Sequence, residues 1–124
     1  MKEKRMEQRL LCAELVQVSY YDKSGLQCRR VANLEDICAS GLCLQSETRI
    51  PDGTKVTVTY DGGQLVGTVR YCIFREIGFF LGVQFEPGCQ WSTRRFRPEH
   101  LLDPRQLVED ALERKYGQTG GKVM

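Results

Sequence analysis

The feature that most limits the fold of this chain is alternation of apolar and polar residues in short runs separated by turn chemistry. From Ala13 to Tyr20, the side chains of Val16, Val18 and Tyr20 fall on one side and those of Gln17 and Ser19 on the other. That is the period of a half-buried strand. Further strand-like runs lie at Leu26–Leu34, Leu42–Leu44, Lys55–Tyr60, Leu65–Phe74 and Phe79–Phe85. The fourth of the six reads KVTVTY, with the β-branched residues that a pleated surface accommodates best. Turns are expected at Asp22–Gly25, Pro51–Gly53 and Asp61–Gly63, where Gly, Pro and Asp suit tight reversals. About six short strands with tight connections predict a mainly β fold, either an antiparallel barrel or a small sandwich. Closure would also remove edges that strands this apolar leave exposed.

A chain of 124 residues supports one domain with its own core. The expected division is a flexible arm at 1–10, the barrel at 11–86, an irregular connection and C-terminal helix at 87–117, and a frayed tail at 118–124. Trp91 and Phe96 are the expected anchors of the irregular stretch, because large aromatics contribute most by burial. Asp103 suits a helix N-cap, Pro104 the first helical position, and Gln106 has capping-box spacing. Leu107, Val108, Ala111 and Leu112 share one face of that helix, which Gly117 is placed to end. The N-terminus, MKEKRMEQRL, is charged, and the apolar run after it is broken by Glu14. It does not resemble a secretory signal, no stretch has the length of a membrane span, and a cytoplasmic location is expected.

Composition narrows the function classes. A net charge of +2 argues against a sequence-blind nucleic-acid binder. The six cysteines lack the paired Cys-x-x-Cys spacing of zinc sites, and without an export signal they read better as reduced, core-packing thiols than as disulfides. No metal and no cofactor is expected. His100 beside Glu99 is the nearest approach to an acid–base pair, but no nucleophile motif or phosphate loop accompanies it, so catalysis is not supported.

Two features point to anion binding. Arg5 and Arg9, in RMEQR, place two guanidinium groups four residues apart. Such groups grip phosphates bidentately, stack on bases and read guanine O6 and N7; they equally suit a solvated basic tail. The second is the segment Asp36-Ile-Cys-Ala-Ser-Gly41, read as a turn between two strands. Asp36 can accept from a guanine N1–H and amine, or simply cap its own turn. Gly41 allows close backbone approach or a positive φ.

RxxxR on an N-terminal arm, followed by DxxxxG at a strand junction, resembles the PilZ family of bacterial receptor domains, whose paired motifs are RxxxR and [D/N]xSxxG on a six-stranded barrel. GLCL, IPDGTKVTV, GTVRYC and FFLGVQF resemble the family's following strands, so the likeness covers Arg5 to Phe85. It implies that cyclic di-GMP is the ligand. Arg5 and Arg9 would grip phosphate and guanine, Asp36 and Gly41 would hold a guanine, and ordering of the arm would be the signal to a downstream protein partner. Cys38 stands where the family has serine, and a thiol is a weaker donor than a hydroxyl; Ser40, two residues along, is the candidate replacement. Two other readings stay open: a PilZ-like adaptor that no longer binds the dinucleotide, and a thiol redox protein built on Cys38 and Cys43. Phe79, Phe80 and the C-terminal helix are the candidate face for a homodimer.

Overall fold

The computed structural model describes residues 9–113. Arg5, Gly117 and the tail at 118–124 lie outside the described residues. Six strands, β1 (Leu10–Tyr21), β2 (Gln27–Cys38), β3 (Gly41–Ser46), β4 (Lys55–Tyr60), β5 (Gly63–Arg75) and β6 (Gly78–Phe85), are followed by one helix, α1 (Pro104–Leu112). They form a closed antiparallel barrel in the order β1-β2-β3-β6-β5-β4. Pairing of Gln17–Ser19 with Thr57–Thr59 closes it. The predicted barrel is therefore what the chain forms, and β1 takes in Leu10, which the sequence assigned to the arm.

The core follows the alternation. Val18, Leu34, Ile37, Leu44, Ile50 and Leu81 are all fully buried, and Leu44 faces Leu81 directly across β3 and β6. Each such side chain contributes roughly 1.5–3 kcal/mol by leaving water. The strands run longer than the apolar runs suggested. β2 continues past Leu34 to Cys38 because a register shift between Leu34 and Asp36 takes up Glu35. A bulge of this kind lets Leu34 and Ile37, three apart, both face the core.

After β6 the chain straps one barrel end. Leu11 and Leu102 exchange backbone hydrogen bonds of 2.6 and 2.7 Å, covering β1 before it meets β4. His100, in the left-handed region at φ 57°, lies within this strap. Trp91 and Phe96 anchor it as expected. The Trp91 indole donates to the Phe96 carbonyl at 2.7 Å, and Phe96 stacks on Tyr60 with centroids 4.0 Å apart. In α1, Asp103 accepts from the Arg105 amide at 2.9 Å. The capping box does not form: the Gln106 amide donates instead to Asp110 at 3.1 Å. Val108 and Leu112 are exposed, so the apolar helix face they share is not packed on the barrel. No helix among the described residues is long and apolar enough to cross a membrane.

The strap yields a stability prediction. Trp91→Ala is expected to destabilise the protein by about 3–5 kcal/mol in urea denaturation followed by circular dichroism. Trp91→Phe, which keeps an aromatic ring but leaves the Phe96 carbonyl without its donor, should cost about 1–3 kcal/mol. No loss in Trp91→Phe would contradict the role given to the indole N–H.

Candidate functional site

The β2–β3 hairpin places the second motif on the barrel's outer surface. Asp36 is not in a turn, as the sequence suggested; it lies within β2, opposite Leu11 of β1 and Cys43 of β3. Strict alternation from Leu34 would aim Asp36 into the core. The bulge at Glu35 reverses that, so Ile37 and its partner Leu42 point inward while Asp36, Cys38 and Cys43 point out. The turn itself is Ala39–Ser40, between the paired Cys38 and Gly41. Its carbonyls are fixed from outside, Ser40 accepting from the Phe85 amide at 2.8 Å and Ala39 from the Trp91 amide at 3.1 Å.

Arg9 reaches this surface from the residue before β1. Its Nη1 donates to Asp36 Oδ1 at 2.5 Å, joining residues 27 apart in sequence. Removal from water works against the Arg9 charge, but the Asp36 carboxylate, by its charge and hydrogen bond, more than offsets this and raises the guanidinium pKa. The Arg9 side chain is 55% exposed. Solvent screening therefore limits the pair to about 0–1 kcal/mol of stability, and an incoming ligand can exchange with it at small expense.

A pocket of about 250 Å³ opens beside the pair, its walls including Arg9, Cys38, Ser40, Gly41, Arg70 and Tyr71. Four of the residues singled out from sequence thus share one cavity, with Asp36 held behind Arg9. The volume lies just below the roughly 300–1,000 Å³ of whole-ligand pockets, so it fits one base or phosphate of a larger ligand. Cys38 is 2% exposed, and its sulfur sits 3.8 Å from the Ser40 hydroxyl, so the two share a side. Gly41 does not use a positive φ. It is required by close approach, because a Cβ there would run into the Val83 carbonyl oxygen.

Arg70, Tyr71, Gly82 and Gln84 complete the pocket and were not singled out from sequence. A second bulge, between Val69 and Tyr71, is the reason: it turns the adjacent Arg70 and Tyr71 to the same outer face. The Arg70 Nε donates to Gln84 Oε1 at 2.6 Å, using one of five guanidinium N–H groups. The Tyr71 ring lies across Gly82, where a Cβ would overlap it. Burial and then the neighbouring Cys43 thiol raise the Tyr71 pKa. The phenol thus stays protonated at neutral pH, a half-exposed aromatic surface with a donor at its tip. An adjacent Arg-Tyr pair in a strand next to a glycine-bearing strand was the available signal.

None of the six cysteines, all among the described residues, is in a disulfide. Cys12 joins the core, and Cys28, Cys72 and Cys89 pack against it. Cys38 and Cys43 are also buried but stand outside that core cluster, Cys38 in the wall of the pocket beside Arg9. Burial and then Asp36 push Cys43 up to about 11, and burial pushes Cys12 up to about 12. A reactive thiolate at Cys43 is therefore disfavoured, which weighs against the redox reading. Phe79 and Phe80 are only half-buried but occupied, Phe79 edge-on to Phe74 and Phe80 under the Arg75 guanidinium. The exposed apolar residues of that hairpin are Ile73, Phe74 and Ile77.

The raised Cys43 value predicts alkaline sensitivity. The folded state holds the thiol proton from the ordinary value of 9.0 up to about 11, while the unfolded chain releases it. Stability therefore falls as pH rises through that window. Chemical denaturation at several pH values should show a shallower fall in Cys43→Ala than in wild type; identical slopes would contradict the assignment. No family model matches this chain, and no curated protein or solved structure does so either.

Proposed function

We propose that this domain is a PilZ-like receptor that binds cyclic di-GMP on the outer face of the β2–β3 hairpin. The observation that carries the reading is the meeting of Arg9 and Asp36, 27 residues apart, at the rim of a pocket that Cys38, Ser40 and Gly41 also line. Arg9 of the first motif thus shares one surface with the second motif's Asp36, Cys38, Ser40 and Gly41. Arg9 would leave Asp36 to hold a phosphate or a guanine face, and Asp36 would then accept from the guanine N1–H and amine. Tyr71 offers a surface for stacking, and Arg70 a second guanidinium for the phosphates. By the resemblance, Arg5 would supply the other half of the clamp. The role is binding and signalling to a protein partner, without catalysis.

The adaptor reading is favoured by one observation, the cluster of exposed Ile73, Phe74 and Ile77 at the β5–β6 hairpin, a surface suited to protein contact. It separates from the receptor reading by whether captured partners respond to the dinucleotide.

Calorimetric titration with cyclic di-GMP tests the proposal. Wild type should bind saturably, Arg9→Ala should lose at least tenfold in affinity, and Cys38→Ser should gain about tenfold to a hundredfold, the worth of a hydrogen bond to a charged group. Absence of binding by both wild type and Cys38→Ser at high micromolar ligand would sink the receptor reading.

A further inference from the structure

The barrel mouth remote from this pocket presents a second, separate surface. There the β1–β2 hairpin projects past the last β1–β4 pair, Ser19 with Thr57, and the loop between β3 and β4 stands opposite. The cleft between them has a volume of about 900 Å³ and shares no lining residue with the pocket beside Arg9. Its position in the strand register is informative. Arg30 is paired with Val18, a fully buried core residue, and so lies on the inward-facing series of β2, two residues beyond the buried Ala32. An arginine in a core register escapes the desolvation of a buried charge only because the barrel opens here.

Other cations converge on the same cleft from separate elements: Lys23 from the β1–β2 turn, and Arg49 and Lys55 from the two ends of the β3–β4 connection. Lys55 is paired with Glu86 at 3.5 Å. Lys23, Arg30 and Arg49 make no ion pair among the described residues. Two carboxylates also line the cleft, Asp22 and Asp52. Asp22 is committed to its own turn, Oδ1 accepting from the Ser24 amide and hydroxyl at 2.9 and 2.7 Å and from the Leu26 amide at 3.0 Å. Three cations without carboxylate partners, two of them guanidinium groups, therefore face one opening. Arginine forks of this kind match phosphate oxygens in geometry as well as in charge.

We infer that this mouth is a second ligand site, for a phosphate-bearing anion held by Arg30, Arg49 and Lys23. The anion is either free in solution or the headgroup of an anionic lipid. Tyr21 and Leu26, 66% and 67% exposed on the hairpin beside the cleft, supply the apolar contact that a bilayer surface would use. The site is independent of the cyclic di-GMP reading, because none of its residues belongs to that pocket.

The test follows backbone amide resonances of the full chain during titration with sodium pyrophosphate, alongside co-sedimentation with phosphatidylcholine vesicles prepared with and without phosphatidic acid. Saturable shifts at residues 20–24, 30, 49–50 and 52–55 are expected. They should weaken about tenfold or more in an Arg30→Gln, Arg49→Gln double variant and persist in Asp36→Ala. Sedimentation that requires phosphatidic acid and is lost in Leu26→Ser assigns the lipid source; pyrophosphate binding without sedimentation assigns the free anion. The inference is overturned if neither probe binds, if the double variant binds as well as wild type, or if the shifts fall on the Arg9 pocket instead.

Discussion

In a closed barrel the side chains of each strand alternate between core and solvent, and closure leaves no free edge at which that order can drift. The order is broken in three places, in β1 between Leu11 and Glu14, in β2 and in β5, and the last two shape the outer face beside Arg9. The bulge at Glu35 resets β2 so that Leu34 and Ile37 both enter the core and Asp36 leaves it. The irregularity between Val69 and Tyr71 does the same for β5, bringing Tyr71 out beside Arg70 and over Gly82. An unbroken period would direct Asp36 and Tyr71 inward, where a carboxylate without a partner is strongly disfavoured.

The two bulges act on the same patch. Between them lie Cys38, Cys43 and the glycines at 41 and 82, Gly41 clearing the Val83 carbonyl and Gly82 leaving room for the Tyr71 ring to lie flat. The turn at Ala39–Ser40 is held by hydrogen bonds from Phe85 and Trp91, so the strap that closes the barrel end also fixes one wall of the pocket. Stability and site geometry are linked through Trp91, whose ring packs in the core while its amide holds Ala39. The Arg9–Asp36 contact, half-exposed and weak, is the part suited to change when a ligand arrives.

Much of the barrel was legible in the sequence because its signal is local: KVTVTY and the alternation of Val16, Val18 and Tyr20 each declare their own faces. Strand ends were less legible, since β2 and β5 run on through bulges that break the period on which the reading relied. Asp36 and Gly41 read as part of a turn for the same reason, whereas they lie in β2 and β3. Arg70, Tyr71 and Gln84 were missed because their proximity to Cys38 arises from pairing of β3, β6 and β5, which sequence spacing does not encode. The helix cap at Asp103 was readable, whereas the partner of Gln106 was not, because Asp110 competes with the cap one helical turn away.

The proposed receiver of cyclic di-GMP is the outer face joining Arg9, Asp36 and Tyr71. Amide resonances followed during titration with that dinucleotide test it most directly. Saturable shifts confined to Arg9, residues 36–43, 70–71 and 82–84 are the predicted result. Shifts elsewhere on the barrel, or none at high micromolar ligand, would contradict it.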